Sequence, residues 1–393
     1  MAQPQPQQTT ATGLPTTVDQ LSAAVTVVFV AAETRLVTGS ATLVQAAIVN
    51  PALAPSLRGR LQALSREVSA DVLVRVNTLA NRVADTAARN GNASAARDVR
   101  ALERQVSGWV ANPMADIMPH DVTASRLIAE DLASRLTAAA QRITRYGDDA
   151  YRAATTGGAL AQINPALDVI HNVMTKATPA EAQAQAWREL TSRGVTGFTD
   201  VKGREWNLAT YVEMATRTAT QRAYNASHRE RLTLAGITYF TISTTGRPCP
   251  LCAPWEGKVL ADVGAGHVTE PDASNGEPVT FHVAATIEDA TAAGLFHPNC
   301  KHTLTAYLPG VTVLKPNAWT AANEQDYRNT QKLRALEREV RKHRQIQAAA
   351  LTDTARAKAG RDVRAAQANV RAFTAQTGLM RRNRREQLNL GNK

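Results

Sequence analysis

Apolar side chains recur at three- and four-residue steps through much of the first two hundred positions. Leu57, Leu61, Leu64 and Val68 form one series, and Val72, Val76, Leu79 and Val83 continue it. Arg60, Arg66 and Arg75 fall off that stripe. This is the pattern of an amphipathic helix with one buried face. Helical texture runs from Val18 to about Ala111, with Asn50-Pro51 and Asn90-Gly91 as helix-ending signals. A second helical block spans Thr123 to Tyr151 and breaks at Thr155-Thr156-Gly157-Gly158. A third begins at Pro179, with Thr178 as its N-cap and Glu181 three residues on.

The texture changes near Ile237. Ile237-Thr238-Tyr239-Phe240-Thr241-Ile242 is β-branched and aromatic, which predicts a strand. It leads into a loop-rich stretch dense in Gly, Pro, Cys and His that closes near Pro309-Gly310. Beyond Ala318 the chain predicts one long charged helix, with Leu333, Leu336 and Val340 as a short apolar stripe. Residues 1–17 are low-complexity Gln, Pro and Thr and predict a disordered arm. The expected fold is α+β, with a mostly α-helical N-terminal half, a small zinc-stapled α+β domain and a basic C-terminal helix. The expected division is an arm over 1–17, a helical domain over 18–178, an α+β domain over 179–312 and a basic helical tail over 313–393.

Composition sharpens this picture. Hydrophobic residues make up 44% of the chain and aromatics only 5%, so Ala, Val and Leu must fill the core, which favours packed helices. The net charge is +11, and the stretch from Asn323 to Lys393 holds 17 basic against 7 acidic residues. The tail therefore carries nearly all of the surplus, and a basic tail on a neutral body predicts a polyanionic partner. Arg338, Arg341, Lys342 and Arg344 form one basic face, and Arg381, Arg382, Arg384 and Arg385 close the chain. Arginine presents a planar fork of donors suited to phosphate. Phe373 is the one aromatic residue after Tyr327, so base stacking would add little. Backbone contact with double-stranded DNA, without sequence preference, is the expected mode. The same charges would also suit an acidic portal or capsid surface.

All three cysteines fall in the loop-rich stretch. Cys249-Pro-Leu-Cys252 sets two thiols on one tight turn, and His297-Pro-Asn-Cys300-Lys-His302 adds a thiol and two imidazoles. Soft donors in this number suit tetrahedral Zn2+, with either His297 or His302 completing the set and His297 preferred. Three cysteines are too few for a disulfide framework in a chain of 393 residues. His267 and His282 are expected to be solvated, and Trp206, Trp255 and Tyr307 to pack around this domain. No P-loop, Gly-x-Ser-x-Gly or His-Glu-x-x-His occurs, so no catalytic set stands out. Glu256 could serve as a base only if a bound zinc kept an open position, and four soft ligands argue for a closed site. The N-terminus lacks the basic region of a signal peptide, and the longest apolar run, Ala23 to Ala32 with Thr26 inside it and Glu33 at its end, is far short of the roughly 20 residues that span a bilayer. Synthesis in a reducing cytoplasm without membrane contact is expected.

Three separated motifs carry a family resemblance. They are Trp206-Asn-Leu-Ala-Thr-Tyr211-Val-Glu-Met214-Ala-Thr-Arg217-Thr218, then Cys249-Pro-Leu-Cys252-Ala-Pro-Trp255-Glu-Gly257-Lys258-Val259, then His297-Pro298-Asn299-Cys300-Lys301-His302-Thr303-Leu304 running on to Tyr307-Leu308-Pro309-Gly310. In this order the stretch from Trp206 to Val311 resembles the phage minor capsid protein 2 family, related to the Mu F-type head morphogenesis proteins. Lys301 stands where arginine is commoner. The resemblance implies a structural, non-enzymatic virion protein of few copies, made in the host cytoplasm beside the portal and retained in the capsid interior. Its implied partners are the portal protein, other capsid proteins and packaged DNA. Other readings stay open: a zinc-containing nucleic-acid-binding protein, or a nuclease or ADP-ribosyltransferase-like effector. For the last, Arg217 followed by Ser243-Thr244-Thr245 is a short match.

Overall fold

The computed structural model describes residues 14–117, 123–157, 160, 179–201, 203, 205–245, 248–315 and 319–388. Contacts divide the chain into two compact units, each assembled from three stretches of sequence. The first unit comprises Met1–Ser22, Thr78–Ala133 and Met214–Arg328, and the second Ala23–Asn77, Ser134–Glu213 and Asn329–Lys393. Most of the Gln/Pro/Thr arm and the Thr178 cap lie outside the described residues.

The long helices are α1 (Leu14–Val49) and α2 (Leu57–Gln105), followed by a short α3 (Met114–Ile117). Next come α4 (Thr123–Arg142), α5 (Tyr146–Thr155), α6 (Pro179–Arg193) and α7 (Leu208–Leu234). The stripe expected on α2 is the buried face: Leu57, Leu61, Val68, Val72, Val76 and Val83 are all nearly inaccessible. Asn50 does cap a turn, its side chain accepting from the Ala52 amide. Asn90-Gly91 does not end a helix, because α2 runs on to Gln105. Gly91 instead lies where the backbone of α7 comes close. A Cβ at this position would stand 2.3 Å from the Tyr224 carbonyl oxygen. The glycine is a notch for a helix crossing, at a local propensity cost that packing overrides.

Gln20–Val49 in α1 is long and apolar enough to cross a membrane by length and composition, with half of its most apolar window buried. A run that stops at the first charge, Glu33, misses this length, because the helix continues past Glu33 and Arg35 to Val49. Two charges sit within it, and both are engaged. Glu33 is buried and accepts from the Val195 amide at 2.9 Å and the Asn207 side chain at 2.6 Å. Arg35 pairs with Glu67 and Asp71. These contacts belong to a helix packed within the second unit.

The C-terminal region is two helices, α9 (Ala321–Ala348) and α10 (Asp353–Thr377), rather than one. Thr352 caps α10, its hydroxyl accepting from the Ala355 amide. The carbonyls of the connection just past α9 are taken by Trp187, which donates to Ala349 at 2.8 Å, and by Gln45, which donates to Ala350 and Leu351. Leu333, Val340, Ala366, Val370, Phe373 and Leu379 form a small core between α9 and α10, with Leu336 at its margin.

The first unit contains a five-stranded sheet. Its strands are β3 (Tyr239–Ile242), β4 (Val259–Ala261), β5 (Gly266–Pro271), β6 (Pro278–Thr286) and β7 (Leu304–Ala306). The spatial order is β5-β6-β4-β3-β7, with only the β4–β6 pair parallel. A separate antiparallel pair in the second unit joins β1 (Thr196–Thr199) and β2 (Glu205–Asn207). Strand β3 falls where the β-branched run predicts it, while β4, β5 and β6 occupy sequence expected to be loop. Alternation assigns the faces of the sheet, with a register shift against β4 that turns Val283 and Ala285 of β6 to opposite sides. Phe240, Ile242, Leu260, Ala285 and Leu304 join the larger core with Leu232, Ile237, Ile287 and Leu295. Val259, Ala261, Val283 and Tyr307 line the opposite face with Tyr239 and Phe281. Trp255 and Tyr307 pack in this unit as expected. Trp206 does not: it lies on β2 in the second unit, with its indole N–H near Asp200.

Candidate metal centre

The cysteine knuckle is built by backbone bonds. The Cys252 and Ala253 amides both donate to the Cys249 carbonyl, at 3.1 and 2.9 Å, which turns the two thiols to one side. The opposite wall comes from the segment between α8 (Ile287–Ala292) and β7. There the Cys300 amide donates to the His297 carbonyl at 2.9 Å. This tight turn needs positive φ at Phe296 (58°) and Asn299 (66°). Asparagine tolerates that region, but phenylalanine is strained in it, and such strain of about 1–3 kcal/mol persists only where surrounding structure enforces it.

The result brings together all five donors expected from the sequence. Cys249, Cys252 and His297 converge within 4.8 Å of one another, as do Cys252, Cys300 and His302. The Cys249 Sγ to His297 Nε2 distance is 2.8 Å, Cys252 Sγ to Cys300 Sγ 3.6 Å, and Cys300 Sγ to His302 Nδ1 3.5 Å. The cluster could hold a metal ion.

Three thiols this close cannot each keep an ordinary affinity for protons. Hydrogen bonding with Cys252, helped by His297 and opposed by burial, brings Cys249 down to about 4. Cys300 falls to about 4 through Cys252, against burial and with the aid of His302. Cys252 moves the other way, pushed up by both of its thiol neighbours. His297 is raised by Cys249. Burial would lower His302, but Cys300 and Glu256 outweigh it and hold the imidazole at about 9. Two thiolates facing a third, protonated sulfur form a concentration of soft negative charge that a divalent cation would neutralise.

Each imidazole turns one nitrogen to sulfur and the other to oxygen. His302 Nε2 lies 2.7 Å from Glu256 Oε1, and both side chains are buried. Glu256 also accepts from the Thr245 amide at 3.1 Å. His297 Nδ1 faces the Pro298 carbonyl at 2.8 Å. An outer oxygen that fixes the tautomer and aims the ring is the usual support of a metal-ligating histidine. Glu256 thus occupies that supporting position behind His302. Gln221 and Asn225 on α7 hold the His302 carbonyl at 3.1 and 3.3 Å. Those two residues went unnoticed in the sequence, since they precede His302 by about eighty positions with no local pattern linking them.

The basic residues singled out in the tail divide into two groups. Arg338, Arg382 and Arg384 are exposed. Lys342 lies 3.4 Å from Glu339. Arg381 holds the buried Glu386 at 2.6 and 2.8 Å, Arg385 lies 3.8 Å from Glu337, and Arg341 donates to the Arg385 carbonyl. The Arg344 Nε is buried without a hydrogen-bond partner among the described residues, and its charge helps hold Glu386 ionised.

The family model for phage minor capsid protein 2 matches residues 167–375, just over half of the chain. The chain belongs to this family. The match contains every member of the Cys/His cluster and extends beyond the three motifs, through α9 and most of α10. A curated relative, described as a structural protein of Lactococcus phage LL-H, is 28% identical over 201 residues, or 48% of this chain. The chain spans about half the length of that relative, at 52%. No solved structure matches.

Proposed function

We propose that the protein is a structural minor capsid component of a tailed-phage virion. It resides inside the head near the portal, contacts the portal and other capsid proteins, and aids head morphogenesis and DNA packaging or ejection. The observation that carries this reading is the family match over residues 167–375, which takes in the whole Cys/His cluster. The relative's description as a structural phage protein supports it. In this reading the cluster holds one structural Zn2+ through Cys249, Cys252 and Cys300. His302, oriented by Glu256, is the better-supported fourth ligand, and His297 is the alternative. Such an ion ties the knuckle to the turn before β7 and contributes folding energy directly. Arg338, Arg382 and Arg384, with Lys342 at their side, are the residues best placed to meet DNA phosphates.

Mass spectrometry of purified virions tests the assignment. Peptides of this chain should appear in intact particles at low copy number. Their absence from particles that carry portal and major capsid peptides would overturn it.

A further inference from the structure

The hairpin of β5 and β6 carries two histidines that neither the metal cluster nor the tail uses. His267 and His282 are directly opposed in the antiparallel register, and both side chains are exposed. Their rings stand 5.0 Å apart between centroids with planes at 68°. The next pair on the same face, Thr269 and Thr280, is joined hydroxyl to hydroxyl at 2.8 Å, so the two strands hold register beside the histidines. Strand β5 is the edge of the sheet, and β6 is its only bonded neighbour.

We propose that His267 and His282 form a second metal site, a surface chelate for one borderline divalent cation such as Zn2+ or Ni2+. The geometry carries the argument. Two imidazoles on one tetrahedral ion at about 2.0–2.1 Å have ring centroids about 5.2 Å apart. The observed separation is already close to that figure, and crossed ring planes suit a tetrahedral ion better than a flat stack. Imidazole nitrogen is a good donor for this class of cation, and the two rings come from a rigid ladder rather than a flexible loop. Neither ring has a hydrogen-bond partner among the described residues, so neither must give one up to turn a nitrogen to the ion. Water or a donor from another molecule would complete the coordination. The ion would clip the edge strand to its neighbour, which only ladder hydrogen bonds and side-chain contacts otherwise hold.

The test uses the full-length chain, its cysteine cluster first loaded with Zn2+ and the excess removed, with Ni2+ as the probe, followed by calorimetry and by NMR of the imidazole protons. The expected result is one Ni2+ per chain whose paramagnetism broadens the His267 and His282 signals first. His267→Ala and His282→Ala should each weaken it at least about tenfold. His343→Ala, which removes an imidazole 3.1 Å from Glu339, should leave it unchanged. Because the two substituted side chains are exposed, the thermal melt of each variant should match the parent. Binding that persists in the double variant, or broadening confined to His297 and His302, would overturn the proposal. With the cluster filled by Zn2+ beforehand, Ni2+ reports on the hairpin alone, so either site can fail alone.

Discussion

Substituting Gly91 and Gly59 in the same helix should move stability in opposite directions. Both glycines lie within α2, and exchanging a helical glycine for alanine gains about 1 kcal/mol of propensity. At Gly59 nothing lies within 4 Å of the new Cβ, so most of that gain should survive. At Gly91 the Cβ would meet the Tyr224 carbonyl oxygen at 2.3 Å, its carbon at 3.1 Å and the His228 amide nitrogen at 3.2 Å. These are backbone atoms of α7 and cannot rotate aside, so the two helices must part by roughly an ångström, at an overpacking cost of about 1–3 kcal/mol. With the propensity gain subtracted, Gly91→Ala should lose up to about 2 kcal/mol. Thermal unfolding followed by circular dichroism at the helical band reads both variants. Gly59→Ala should melt slightly above the parent and Gly91→Ala several degrees below it, at about 2–4 °C per kcal/mol for a body of this size. Equal stabilisation by both substitutions would refute the helix crossing.

Four further outcomes follow from the side-chain contacts. Glu256→Gln should leave the fold intact and weaken metal retention about 10- to 100-fold in a chelator competition, because His302 loses its carboxylate support; unchanged retention would make His297 the ligand. Replacing Arg338, Arg382 and Arg384 with Gln should flatten the salt dependence of DNA binding by nearly one unit of slope per lost phosphate contact, measured by anisotropy across a salt series; Arg381→Gln should instead lower stability by stranding Glu386. Burial raises the Glu33 carboxyl above its ordinary range, so the folded state binds its proton more tightly than the unfolded state does. That stability contribution is complete below about pH 4.5 and is lost as pH rises through the raised value. Denaturant melts of the parent against Glu33→Gln should therefore diverge in the variant's favour as pH rises, and a constant difference would contradict the assignment.

The donor cluster was legible in the sequence because its pieces are local: a two-residue gap within the knuckle and a short run from His297 to His302. The buried stripe of α2 was legible for the same reason, as one face of one helix. What failed was non-local. Asn90-Gly91 has the local chemistry of a helix end, and only the passage of α7 reveals why glycine stands there. The division of the tail at Ala349 depends on Trp187 and Gln45, which lie far away in sequence. Arg341, Arg381 and Arg385 read as a uniform basic surface until Glu337 and Glu386 are seen folded among them. Strands β5 and β6 could have been found, since Val268 on one and Val279, Phe281 and Val283 on the other alternate with exposed positions. Glycine, proline and histidine around them masked that period.

Elemental analysis of the full-length protein decides whether the Cys/His cluster is a metal staple of this capsid-family domain. One tightly held zinc per chain, with Cys249, Cys252 and Cys300 protected from thiol reagents until a chelator removes it, is the predicted result. A folded protein with no zinc and three freely titratable thiols would contradict it.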